Sequence, residues 1–374
     1  MKILLVSYSI RGGAGKAAYR LCKALNKQIG IEAQILILEG SSIDLADVST
    51  LYSSKRELFL KQILNTPRLL FYKSWFGTRN SQLRIPRSIH RVKGHDLVDW
   101  ADVINLHWVA EFIDYNHFFS KVQKPVVWTL HDMLPFSGGY HYKYDSSQDR
   151  KLKNSERIIE KYKEKCIRAS KLSVVAPSEW LVNISMQSTV FKIFPQIKIY
   201  NTLDQSIYKL LDQYESRRAL NIPTDKKVIL FSADGVNNLR KGFDILSSSL
   251  SYLAKEELHL LILGRGGLGI ENRFSATYLG NFEDEISMVL AYNSADVTLV
   301  SSREDNMPNA VIESMACGCP VVGLPIGGLP EIIKNGINGA ISTSENPCDL
   351  ARAIESTLDM NLSRVSIVNY ISDL

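Results

Sequence analysis

The residues of this chain predict an α/β fold made of two doubly wound, Rossmann-like domains. Short apolar runs of strand character alternate with helical patterns along its whole length. The alternation restarts after the turn-rich, charged segment 201–223. The length, 374 residues, exceeds one ordinary core and suits two domains of about 150 to 200 residues each. An N-terminal domain over 1–200 and a C-terminal domain over 201–360 follow, with a terminal helix over 361–374.

The first strand is Lys2 to Tyr8, followed by a loop rich in glycine, and the second is Ala33 to Leu38. Gly13-Ala14-Gly15-Lys16-Ala17-Ala18 fits the dinucleotide fingerprint G-x-G-x-x-A, and Glu39 stands where its ribose acid belongs, so an NAD-dependent oxidoreductase or epimerase is one alternative. Four residues, Ser9 to Gly12, separate the strand from the first matching glycine, whereas that fingerprint turns directly after the strand. A Walker phosphate loop is excluded, because Ile10 stands where it needs glycine and Ala17 where it needs a hydroxyl. Further strands are Asp102 to Trp108 and the run opening at Pro125, which leads into a loop of His, aromatic and Gly residues ending at Tyr142. Strand-end loops of this kind meet ligands. His107 is read equally as an acceptor-side group or as a hydrogen-bonded core histidine. A zinc site is a poor alternative, since His131 and His141 lie ten residues apart on an irregular loop and Cys166 is distant.

In the second domain Lys226 to Ala233 reads as a buried strand, and Asn237 to Gly242 leads into a helix over Phe243 to Leu253. Arg240 and Lys241 at that helix start form a candidate anion site. Leu258 to Gly264 and Ala276 to Gly280 supply two strands, Phe282 to Asn293 a helix and Val297 to Val300 another strand. Pro308, Ala310, Val311, Ile312, Met315 and Ala316 set a helix that Gly318 stops; Pro320 to Gly323 is again a strand, and Gly327-Gly328 opens a helix over Leu329 to Lys334. Glu304 and Asp305 suit a helix N-terminus on electrostatic grounds alone. Glu313, mid-helix between Ile312 and Met315, is costly to bury without a partner.

The stretch Ser301 to Ala340 resembles the C-terminal domain of glycosyltransferase family 4, retaining enzymes of GT-B architecture that use nucleotide-diphosphate sugars. The resemblance implies two Rossmann-like domains facing each other across a cleft, with the donor held mainly by the second and the acceptor by the first. It implies that Glu313 holds the ribose and that an acid at position 305 touches the sugar; the family usually has Glu there, this chain has Asp305 with Glu304 beside it, and the sequence leaves open which of the two reaches the sugar. Asn306 joins the donor-binding set. In the family an Arg and a Lys six residues apart grip the diphosphate; Lys241 matches the second, Gly235 stands at the first, and Arg240 is the candidate substitute. Gly12, Gly13 and Gly15 are carried over as the loop near the donor phosphate, His131 with Asp132 as the family's histidine beside the reacting sugar, and His107 and Trp108 as acceptor-side groups. No metal or cofactor is implied, and no dedicated base, because the departing phosphate is taken to accept the acceptor's proton. A terminal helix that crosses back to the first domain is implied too. The departures at Asp305 and Gly235 keep a non-catalytic GT-B binding protein as a second alternative.

Five cysteines at irregular spacing suggest no disulfide framework and a reducing, cytoplasmic compartment. Neither a signal peptide nor an apolar span of membrane length is read. Charge divides unevenly: residues 1–200 carry 30 Lys and Arg against 17 Asp and Glu, whereas 201–374 carry 14 against 22. The excess concentrates in Lys55 to Lys93, where basic residues, Arg79 among them, interleave with Leu, Phe and Trp. That pattern favours peripheral contact with an anionic membrane at its inner face, each basic group contributing about 1 kcal/mol, over nucleic acid, for which no recognition fold is present. The expected activity is transfer of a hexose to a polysaccharide or lipid-linked acceptor, as in exopolysaccharide or lipopolysaccharide synthesis.

Overall fold

The computed structural model describes residues 1–39, 45–78, 83–147, 152–236, 238–265, 274–280, 282 and 284–374. Arg79 and Asn237 lie outside the described residues, as does the side chain of Glu39. The chain forms two compact units, residues 1–202 and 203–374.

The first unit is a seven-stranded parallel sheet of β1 (Lys2–Ser7), β2 (Glu32–Glu39), β3 (Val48–Tyr52), β4 (Val103–Leu106), β5 (Val126–Thr129), β6 (Leu172–Ala176) and β7 (Gln196–Lys198), in the order β3-β2-β1-β4-β5-β6-β7. Strands covered on both faces need continuous apolar runs, and Leu4, Leu5 and Val6 of β1 are fully buried. The main core gathers Trp128, Phe112, Phe118 and Phe191, all 2% exposed or less. The strand order reverses between β1 and β4. In sheets of this topology the crevice beyond the carboxyl ends of those two strands is the ligand position.

The second unit repeats the scheme with six parallel strands, β8 (Lys227–Gly235), β9 (Leu258–Arg265), β10 (Ala276–Gly280), β11 (Val297–Val300), β12 (Val321–Gly323) and β13 (Gly339–Ile341), in the order β10-β9-β8-β11-β12-β13. Its reversal lies between β8 and β11.

The helices that open at Phe243 and Leu329 are shorter than the sequence suggests. The helix that opens at Phe243 ends at Ser249 and continues only as a 3-10 turn, Leu250–Tyr252. Ser248 and Ser249 donate their hydroxyls to the carbonyls of Asp244 and Leu246 at 2.8 Å, and such back-bonding competes with the helical ladder. The helix from Leu329 stops at Ile332, where Asn338 accepts from the Lys334 amide at 2.7 Å and donates to the Ile332 carbonyl at 3.0 Å. The terminal helix Arg364–Ser372 is tied into the second unit: the Arg364 guanidinium donates to the carbonyls of Gly318, Asn293 and Ala295 at 3.2, 3.0 and 2.7 Å.

Candidate active site

At the reversal point of the second sheet, two strand-end loops meet backbone to backbone. After β8 the chain makes a 3-10 turn, Leu239–Lys241, and then Gly242 at φ +70°. A Cβ on Gly242 would fall 1.8 Å from the Ser301 carbonyl oxygen, so glycine is required both by conformation and by space. The Arg303 amide donates to the Arg240 carbonyl at 2.8 Å, and the Ser301 hydroxyl to the Gly242 carbonyl at 2.9 Å. The Arg303 guanidinium grips the Asp244 carboxylate through its two terminal nitrogens, at 2.8 and 2.5 Å.

This contact carries the basic pair of the first loop onto the acid of the second. Lys241 Nζ lies 2.5 Å from Asp305 Oδ2, and Arg240 Nη1 lies 3.6 Å from the same oxygen while donating to the Glu304 carbonyl at 2.7 Å. The Asn306 amide donates to Asp305 Oδ1 at 3.0 Å. Asp305 is only 7% exposed. Burial alone would push its pKa up, but Lys241 and then Arg240 outweigh that and hold it below the usual carboxylate range. Gly327, at φ +55°, closes the loop from the other side, where a Cβ would sit 1.7 Å from the Asp305 carbonyl oxygen; the Gly328 amide donates to the Asn306 carbonyl at 2.7 Å. Glu304 is half-buried beside them.

Glu313 is 4% exposed, and the Tyr292 hydroxyl donates to its Oε2 at 2.8 Å. The burial cost of this mid-helix acid is therefore offset inside the fold. Burial, and next the carboxylate, push the Tyr292 hydroxyl well above its ordinary range.

In the first unit the carried-over residues gather at the carboxyl edge of β1, β4 and β5. Gly12, at φ +69°, begins the helix Gly12–Asn26, so that Gly13 and Gly15 belong to its first turns. A Cβ on Gly15 would meet the Ser9 carbonyl oxygen at 2.4 Å, which explains that glycine by packing. His107 and His131 join Nδ1 to Nε2 at 2.9 Å, with near-parallel rings 5.2 Å apart. Burial pushes His107 well below 6.5 and His131 down to about 4, so both are neutral imidazoles at neutral pH. His107 is buried, at 2% exposure, and lines a concavity, so both of its readings stand. Trp108 stacks on His141 with centroids 5.8 Å apart, and His141 in turn bonds Asp132 at 2.7 Å. Lys163, 2% exposed, donates to the carbonyls of Leu134 and Ser137 at 2.5 and 2.7 Å, and burial lowers it to about 7. His107, His131, Lys163, Arg84 and Glu111 line a shallow concavity open to solvent.

The sequence missed Tyr292, Lys163 and the Asp132–His141 pair. Only the need of Glu313 for a partner pointed to the first.

Residues 226–360 match the family described as "Glycosyl transferases group 1". An uncharacterized glycosyltransferase of Methanocaldococcus jannaschii is 29% identical over 295 residues, covering 73% of this chain and 70% of that protein. Other curated relatives, D-inositol 3-phosphate glycosyltransferases among them, align over only 36–45% of their own length. Among solved structures, sucrose-phosphate synthase from Thermosynechococcus elongatus superposes with a TM-score of 0.70 at 17% identity, covering 100% of this chain and 94% of that one. HepE from Anabaena in complex with UDP-glucose gives 0.61 at 17% identity, covering 100% and 98%. Fold, matched segment and relatives agree, and neither the oxidoreductase nor the binding-protein alternative is favoured by them. The chain has the GT-B fold, and its second unit matches the group 1 glycosyl transferases over residues 226–360, which supports glycosyltransferase activity.

Proposed function

We propose that the chain is a retaining glycosyltransferase that moves a hexose from a nucleotide-diphosphate-sugar to a polysaccharide or lipid-linked acceptor at an anionic membrane surface. The convergence of Lys241 and Arg240 on Asp305, at the reversal point of the second sheet, carries this reading. Two cations next to a buried acid form a charge pair that a diphosphate can enter by taking over one partner. The complex of HepE with UDP-glucose, in a related fold, supports a nucleotide-sugar as donor.

In the proposed reaction the bond from the anomeric carbon to the donor phosphate breaks and the bond to the acceptor hydroxyl forms on the same face. The acceptor's proton passes to the departing phosphate oxygen. Lys241 exchanges Asp305 for the diphosphate and offsets the charge that grows there, with Arg240 beside it. Glu313 receives the ribose hydroxyls, Asp305 or Glu304 orients the sugar with Asn306, and the amides after β1 at Gly12, Gly13 and Gly15 face the phosphate. Gly235 has open space around its Cβ position. In the first unit His107 and Trp108 meet the acceptor and His131 lies beside the reacting sugar. Positive side chains supply the charge, so turnover is expected to survive a chelator.

The test is a thermal-shift panel of UDP-, GDP- and ADP-sugars, followed by NMR of the product's anomeric configuration. Inversion at the anomeric carbon rejects the retaining course, and stabilisation by none of the donors rejects the donor class.

A further inference from the structure

Helix Lys55–Trp75 turns an apolar side outward. Among its 21 residues only Leu58 is buried. Phe59 is 60% exposed, Ile63 51%, Leu64 76%, Leu70 41%, Phe71 65% and Trp75 57%. At about 100° per residue these six fall in one arc of about 160°, which Leu60 shares and which Arg56, Pro67 and Ser74 interrupt. Leu58, Leu69 and Tyr72, which hold the helix to the first unit, occupy the opposite side. Lys61 and Arg68 border one edge of the arc, and Lys55 and Lys73 the other. The helix has a single acid, Glu57, and its carboxylate is engaged by the Ser53 amide and hydroxyl at 3.1 and 2.9 Å. Among the described residues, no helix is long and apolar enough to cross a membrane.

We infer that this face docks on an anionic lipid surface, with the helix lying flat, its apolar arc among the acyl chains and its two basic rows at the headgroups. A second copy of the chain is the poorer occupant, because a self-complementary contact would bring identical cationic rows together. The sequence pattern pointed to electrostatic attraction; the outward apolar arc adds insertion, which salt does not screen.

The docked helix is clamped to the wall of the concavity in the same unit. The Tyr72 hydroxyl accepts from Arg87 and Arg68, each at 2.8 Å, and Arg87 also donates to Tyr162 and pairs with Asp114 at 3.1 Å. Arg84, Ile85 and Pro86, immediately before Arg87, line the concavity. Docking therefore sets that concavity at a fixed position relative to the lipid headgroups, where a lipid-linked acceptor presents its sugar. This last step rests on the proposed function; the docking itself does not.

The experiment is co-sedimentation of the full chain with phosphatidylglycerol–phosphatidylcholine vesicles and with phosphatidylcholine alone, with UDP titration by calorimetry in parallel. Binding to the anionic vesicles is expected, and a part of it persists at about 1 M salt, where the Debye length is about 3 Å. The double change Phe59→Ser with Phe71→Ser lowers partition by about tenfold or more at either salt concentration, whereas Lys61→Gln with Lys73→Gln lowers it at low salt only. UDP binding stays unchanged in both. No wild-type binding to anionic vesicles, or an unaltered partition of the Phe59/Phe71 variant, overturns the docking. A self-association that Phe71→Ser abolishes overturns it in favour of a second copy. Absence of UDP binding beside intact vesicle binding sinks the donor reading and leaves the docking in place.

Discussion

Lys241 reaches Asp305 across 64 residues of sequence, Nζ to Oδ2 at 2.5 Å, joining the loop after β8 to the loop after β11. The buried acid thus holds the ammonium that the proposed reaction transfers to the donor.

Asp305→Asn separates the two roles of that pair. The variant leaves Lys241 without its anion, so binding of bare UDP is expected to stay level or tighten while turnover of the intact donor falls. Removing one partner of so buried a pair also costs about 3 kcal/mol of stability, at the lower end for buried pairs because Lys241 is a quarter exposed. Urea unfolding, calorimetry and turnover measure the three quantities. Normal turnover in Asp305→Asn, with a loss in Glu304→Gln instead, assigns the sugar contact to Glu304.

Glu313 and Tyr292 allow a similar separation. Tyr292→Phe removes a donor to the carboxylate and is expected to cost about 1 to 2 kcal/mol of stability with little effect on UDP affinity. Glu313→Gln keeps the shape and loses the charge, and it is expected to weaken UDP by about 1.5 to 3 kcal/mol if the carboxylate binds ribose. Unchanged affinity in Glu313→Gln would reduce this acid to a satisfied core group.

The histidines predict a pH response. His131 and His90 are each lowered by burial from 6.5 to about 4. The unfolded chain then binds more protons than the folded one between these values, so the stabilisation is complete above pH 6.5 and is lost as pH falls toward 4. Each histidine contributes a slope of about 1.4 kcal/mol per pH unit in that window. Denaturant titrations across the window check it; a flat stability from pH 6.5 to 4 contradicts neutral burial of these rings.

Gly327→Ala tests whether the Asp305 loop is set by its backbone neighbour. The new methyl would lie 1.7 Å from the Asp305 carbonyl oxygen at a φ of +55°. A stability loss of about 1 to 3 kcal/mol and a fall in turnover are expected, from strain and loop displacement together. Turnover equal to wild type in this variant shows that the loop gives way without harm.

The parts of this molecule written in local pattern are legible in the sequence alone. Val297–Val300, apolar but for Thr298, and Ala276–Gly280, closed by glycine, are legible to the residue. β3, β7 and β13 are not legible: Val48–Tyr52 carries Ser49 and Thr50 within it, Gln196–Lys198 begins and ends on polar residues, and Gly339–Ile341 has only three residues. β6, Leu172–Ala176, lies inside the sheet but follows a strongly cationic helix and offers only five residues. The acids at 304, 305 and 313 were visible by spacing. What each one touches was not, since Tyr292 and Lys241 arrive from other elements through tertiary packing alone. The basic-aromatic stretch was visible as composition, but which way its helix faces depended on where Leu58, Leu69 and Tyr72 found a core.

Arg364 has a consequence for engineering. Its guanidinium gathers the carbonyls at the ends of two helices, Glu285–Ser294 and Asn309–Ala316, one bearing Tyr292 and the other Glu313. A single cation at two helix carboxyl ends acts as a common terminal for both dipoles. A chain shortened before Ser363 would keep every residue of the candidate site and still release the spacing on which the Tyr292–Glu313 contact depends, so fusions and truncations are better placed elsewhere.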